Sequence, residues 1–194
     1  MGLQLPIGSI ASRTVGSDEV LIVQTLPDFE LIDSLSAVAG WTAFGNDTTG
    51  LAVDNDHVWG TKSLEFDKVD GAAGSAVAGA SKTITSVDIS RLGPHCYVTG
   101  YIKVSATTDI ANAFIRLGTD SSNYATFSIA DTDITGAAWQ EIKVAWAAGV
   151  TTGTGCDPSA ITYIAVGVTF DAEDDTLADI RFDRITVRSA IESD

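Results

Sequence analysis

Side chains able to do acid–base or nucleophilic chemistry are unevenly supplied in this chain. Two histidines, His57 and His95, stand in stretches that read as turns, and no nucleophile-and-base constellation accompanies either. No Gly-x-Ser-x-Gly elbow, phosphate loop or His-Glu-x-x-His helix occurs. Carboxylates are abundant instead: 26 Asp and Glu face 11 Lys and Arg, so carboxylate pairs arise everywhere and none nominates a glycosidase acid and base. An enzyme is not expected.

The other chemistry on offer is stacking. A sugar ring needs an exposed aromatic platform flanked by polar groups. Of the four tryptophans, Trp146 is in phase with Ile142 and Val144 and reads as core. Trp41 and Trp139 read as packing residues. Trp59, within DNDHVWG, sits in a loop and could stack on a ring, although packing explains it as well. Tyr97 and Tyr101 share one side of a strand and could extend such a face, with Tyr124 as a further polar aromatic.

The formal net charge of −15 excludes other partners. A negative field repels phosphate backbones and anionic lipid, so neither nucleic acid nor a membrane surface is expected. Three readings of the acidity stay open: cation binding by carboxylates, docking on a basic partner, or solubility of a β-rich chain. The run Asp171-Ala172-Glu173-Asp174-Asp175 reads as a solvated hairpin loop. Cys96 and Cys156 match no metal spacing and read as ordinary buried thiols. No segment approaches the roughly 20 apolar residues of a membrane span. The start shows no secretion leader, so folding in a cytoplasm is expected, and the Asn46-Asp47-Thr48 sequon is taken as chance.

Short strands with turns between them must position these residues. Alternation or apolar runs predict strands at Lys62–Val69, Lys82–Ile89, Tyr97–Ser105, Ala113–Leu117, Tyr124–Ala130, Gln140–Trp146, Ile161–Phe170 and Ile180–Val187. Ile161–Phe170 is the most apolar and reads as a central strand. In the last strand Ile180 and Phe182 share a parity, whereas Ile185 and Val187 have the opposite one. A bulge near Asp183-Arg184 reconciles the two halves. Gly71–Gly79 and Ala147–Pro158 read as loops. Spacings of about 8 to 15 residues without a competing amphipathic helix predict an all-β antiparallel sandwich.

Residues 1–26 differ in character. Met1–Gly16 carries one charge, Arg13, and mixes small residues with Leu3, Leu5, Ile7 and Ile10. Such a segment cannot bury itself alone, and the expectation is an extended N-terminal arm that grips a partner through those four side chains. The domain proper then spans residues 27–194.

The stretch Pro27–Lys68 and the ending RFDRITV carry a resemblance. Glu30 on a strand, then Trp41, an Asn46-Asp47 turn and a strand opening Gly60–Leu64 resemble the start of a carbohydrate-binding-module-like (galactose-binding-like) jelly roll. The ending resembles its closing strand. The resemblance implies a two-sheet jelly roll over roughly Pro27 to Arg188. It also implies a structural calcium, with Asp28, Glu30 and Asp183 as the matching ligands.

Stand-alone jelly rolls of this kind resemble those of bacteriophage virions. That likeness implies a non-enzymatic virion protein such as a capsid decoration protein. It would dock on a major capsid protein or another virion protein, as a symmetric homo-oligomer such as a trimer. The alternative is a glycan-binding module or tail receptor-binding protein using Trp59, Tyr97 and Tyr101.

Overall fold

The computed structural model describes residues 11–15, 18–22, 29–45, 47–69 and 76–190. Fourteen strands follow in order: β1 (Ala11–Val15), β2 (Asp18–Ile22), β3 (Phe29–Asp33), β4 (Trp41–Phe44), β5 (Thr48–Asp54), β6 (Ser63–Lys68) and β7 (Val77–Val87). The rest are β8 (Cys96–Lys103), β9 (Ile110–Asp120), β10 (Asn123–Ala130), β11 (Gln140–Ala145), β12 (Val150–Thr152), β13 (Ile161–Phe170) and β14 (Leu177–Ser189). Among the described residues only short 3-10 turns are helical, and no helix is long and apolar enough to cross a membrane.

Two antiparallel sheets face each other. One runs β11-β8-β14-β6-β5, with β3 also paired to β14; the other runs β12-β10-β9-β13-β7-β4. Period-two alternation sends one set of side chains inward from each sheet. Leu64, Phe66, Val98, Ile102, Ile142, Ile180 and Phe182 from the first meet Ala113, Ile115, Leu117, Ile164, Val166 and Val168 from the second, all of them buried. β13 is central, between β9 and β7, as its apolar run predicts. This is the expected two-sheet jelly roll.

The phase change in β14 is resolved as anticipated. Its register against β8 shifts between Asp183 and Thr186, and Arg184 takes a left-handed φ of 48°. The extra residue lets Ile180, Phe182, Ile185 and Val187 all reach the core.

Several expectations need correcting. β7 starts at Val77, so the end of GAAGSAVAG is strand and not loop. Gly79 is there because a Cβ would come within 2.5 Å of the Phe44 ring lying across it, and Gly167 makes the same room for Phe114. The Ala147–Pro158 connection holds β12, which extends the second sheet beside β10. Within the arm, β1 and β2 pair from Ala11↔Ile22 to Val15↔Asp18 as a hairpin whose ladder belongs to neither sandwich sheet. Leu3, Leu5, Ile7, Ile10, Asn46 and the 26/27 boundary lie outside the described residues. Cys96 and Cys156 are unpaired thiols; burial pushes the Cys156 thiol up to about 12.

One inward position is a cation. Lys68 follows Leu64 and Phe66 on the core side of β6 and is fully buried. Its ammonium lies 3.5 Å from the buried Asp47 carboxylate, 2.7 Å from the Glu173 carbonyl and 5.4 Å from the Phe170 ring centroid. The ammonium thus ties the β4–β5 turn to the acidic β13–β14 loop, whose side chains are otherwise largely exposed as expected. Replacing Lys68 with Met removes the ammonium beside a buried carboxylate, at an expected cost of about 3–5 kcal/mol in urea unfolding. The Lys68→Met/Asp47→Asn double variant is expected to recover part of that loss.

Candidate functional site

The outer face of the first sheet carries a different chemistry from its core face. From β8, Tyr97, Thr99 and Tyr101 alternate with the buried Val98 and Ile102. In the ladder Glu141 lies opposite Tyr101 and Lys143 opposite Thr99. On the other side of β8, Thr186 lies opposite Thr99 and Arg188 opposite Tyr97. β3 then sets Leu31 against Thr186 and Phe29 against Arg188. A groove of about 190 Å³ runs over this face, lined by Phe29, Trp59, Thr99, Tyr101, Glu141, Arg184, Thr186 and Arg188.

Trp59 forms the groove's wall. It is 50% exposed, in the middle of the β5–β6 loop. An exposed indole on a loop would be a poor platform if the loop moved, and here the loop is clamped. The Val58 and Trp59 N–H groups both donate to Asp183 Oδ2 at 2.7 Å. Upstream, Asp56 N–H donates to Asp54 at 2.7 Å and the Ser63 hydroxyl to the Asp56 carbonyl at 2.6 Å. The Asp56 carboxylate receives Lys103 at 2.5 Å and the Trp139 indole N–H at 2.9 Å. Those two hydrogen bonds, Lys103's first, hold the Asp56 carboxyl below the usual carboxylate range.

Asp183 itself is fully buried. Burial raises its carboxyl above the usual value, and the hydrogen bonds from Trp59 and Val58 only partly oppose that. Its second oxygen, Oδ1, is buried with no hydrogen-bond partner among the described residues.

The next residue supplies the charge. Arg184, turned out by the bulge, places its guanidinium carbon 4.2 Å from the Trp59 ring centroid and 5.6 Å from that of Phe29. Beyond Trp59 lies a second, more apolar depression of about 220 Å³, lined by Leu31, Ser34, Trp59, Gly60 and Arg184. On the groove floor the Thr99 and Thr186 hydroxyls share a 2.6 Å hydrogen bond, and Arg188 donates to Glu141 at 2.8 Å. An aromatic plane, hydroxyls, a carboxylate and guanidinium donors on one rigid face suit a polyhydroxylated ring.

Of the stacking residues expected from the sequence, Trp59 and Tyr101 meet in the groove. Tyr97 stands one row away and packs under the Lys143 ammonium, 4.7 Å from its ring centroid. Trp146 packs on Phe127 at 5.3 Å and Trp41 is buried, both as expected. Trp139 is not simple packing, since it is half-buried and holds Asp56.

The two described members of the calcium set implied by the resemblance hold different partners. Glu30 pairs with Arg91 at 2.6 Å and faces Val187 in the ladder, whereas Asp183 serves the Trp59 loop across from Tyr101. Asp28 lies outside the described residues. Calcium needs six to eight oxygens, and among the described residues no three His, Cys, Asp or Glu side chains cluster for an ion.

Arg184, Arg188, Glu141, Thr99, Thr186 and Phe29 are additions to the expected site. A signal for the two arginines was available, since RFDRITVR concentrates three guanidiniums in a chain short of positive charge.

No protein-family model matches the sequence, and comparison with curated proteins finds no match. Solved structures do match in fold. A family 11 carbohydrate-binding module from Clostridium thermocellum, in complex with a β-1,3-1,4-mixed-linked tetrasaccharide, aligns with TM-score 0.59 and 13% identity over 85% of this chain and 98% of its own. A family 30 carbohydrate-binding module of a Clostridium thermocellum cellulosomal cellulase aligns with TM-score 0.59 and 17% identity over 84% and 99%. An exo-β-agarase aligns over 78% of this chain but 23% of its own, with TM-score 0.54 and 12% identity. The fold is therefore that of a carbohydrate-binding-module-like jelly roll. None of these structures is a virion protein.

The clamp predicts two measurable effects. Asp183→Ala removes the acceptor of two amides, so hydrogen exchange at Val58 and Trp59 is expected to quicken while that of the β8 core amides does not. The pH dependence follows from a folded-state carboxyl raised above its ordinary 3.8. Its favourable contribution is whole below the unfolded value and is lost as pH rises through the folded one. Urea midpoints of wild type and Asp183→Asn are therefore expected to shift in favour of the Asn variant as pH rises from about 3.5 to 7.

Proposed function

We propose that this protein is a non-catalytic glycan-binding module and that the outer face of β11, β8, β14 and β3 is its binding surface. The observation that carries the reading is Trp59: a half-exposed indole, clamped by a buried carboxylate, walling a groove floored with hydroxyl and guanidinium groups. Contiguous exposed apolar side chains mark interaction sites, and here Phe29 and Leu31 line depressions walled by Trp59, all three of them exposed. The fold shared with carbohydrate-binding modules supports the same reading.

The virion reading gains no comparable support. It depended on Leu3, Leu5, Ile7 and Ile10 gripping a capsid partner, and those side chains lie outside the described residues.

The test is a glycan array followed by calorimetry on the best-bound sugar. Trp59→Ala is expected to weaken binding at least about tenfold, as truncation of a central aromatic does at interfaces, and Tyr101→Ala to weaken it less. Loss of Trp59 without effect on an established glycan interaction would refute the assignment of this face.

A further inference from the structure

Resting on that reading, we infer that the sugar this face takes is anionic, bearing a carboxylate or a sulfate ester that Arg184 receives. The argument begins with how arginines are used in this chain. With acids exceeding bases by fifteen, a guanidinium has carboxylates in easy reach, and most of those described have one. Arg181 meets Asp54, Glu65 and Asp179; Arg91 meets Glu30; Arg188 meets Glu141. Arg184 meets none among the described residues; its contacts are the Trp59 and Phe29 rings.

Its hydrogen-bonding capacity is what remains of that guanidinium. Its carbon lies 4.2 Å from the indole centroid, and none of its five N–H donors has an acceptor among the described residues. The arrangement holds the cation at a fixed place in both depressions and leaves its fork unspent. A fork of that geometry matches a carboxylate or sulfate bidentately.

Arg116 on the second sheet provides the contrast. It too sits among rings, 4.3 Å from Phe114, 4.8 Å from Tyr124 and 5.5 Å from Phe44 by centroid distance, but it lines neither the groove nor the shelf beyond Trp59.

The surroundings do not cancel Arg184. Glu141 is compensated by Arg188. The neighbouring Asp183 attracts Arg184 electrostatically without forming an ion pair with it; it spends one oxygen on two amides, and its ionisation is opposed by burial. The acids that make the chain negative overall act weakly beyond the Debye length of about 8 Å at physiological salt. They exclude polyanions from the rest of the surface and leave this face as the place where one can land.

The experiment titrates the full chain with three polysaccharides: sodium alginate for carboxylates, ι-carrageenan for sulfate esters and barley mixed-linked β-glucan as the neutral probe. At least one anionic polymer is expected to bind about tenfold or more tighter than the β-glucan, and which one binds distinguishes carboxylate from sulfate. Arg184→Gln is expected to weaken anion binding about tenfold or more, the loss typical of a charge-assisted contact. Arg184→Lys should recover part of it, and Arg116→Gln, which removes an equal charge from the far sheet, should change nothing. Preference for the β-glucan would overturn this inference and leave the glycan-binding reading standing. Binding to none of the three, nor to any sugar on the array, would overturn both. The wild-type ranking decides the matter even where a variant does not fold.

Discussion

One extra residue in β14 governs the site. The bulge at Asp183-Arg184 lets two apolar pairs of opposite parity enter the same core, and it does so by turning two charged residues away from that core side by side. Asp183 is drawn under the β5–β6 loop and Arg184 is turned out across the face of Trp59. The indole's position, the loop's rigidity and the placement of the free guanidinium all descend from that local departure from regular pleating. Bulges re-aim side chains in this manner where a sheet must present a site.

The cost of the arrangement is a carboxylate buried beyond what its hydrogen bonds restore. Leaving Oδ1 without a partner is expensive in a protein interior, and the raised titration of Asp183 expresses the same penalty. Stability of this kind is surrendered where geometry must be exact enough to hold a platform. The rest of the fold can carry it, because the two six-stranded sheets bury a continuous apolar core.

Much of the architecture was legible because it is written in alternation. Ile142 and Val144, the Ile161–Phe170 run and the parity switch before Ile185 each state which way a side chain must point, and the bulge follows from them. Alternation does not report what crosses between strands distant in sequence. Asp183 and Trp59 are separated by 124 positions, so nothing in the local pattern shows that this carboxylate fastens the Trp59 loop. Gly79 reads as part of a loop until Phe44 is seen lying across it. Trp59 and Tyr101 were visible as aromatics, but their convergence with Arg184 depends on register, which composition does not encode.

The central claim is that ligand, indole and guanidinium meet on the β8–β14 face. A nitrogen-detected or proton–nitrogen NMR titration with the best-bound polysaccharide fragment tests it most directly, by following the Trp59 indole N–H and the Arg184 Nε–H together. The account predicts that both signals move in parallel with saturation and that those of Arg116 on the far sheet stay in place. Shifts centred on Arg116 and Tyr124, with Trp59 and Arg184 unmoved by a ligand that demonstrably binds, would contradict it.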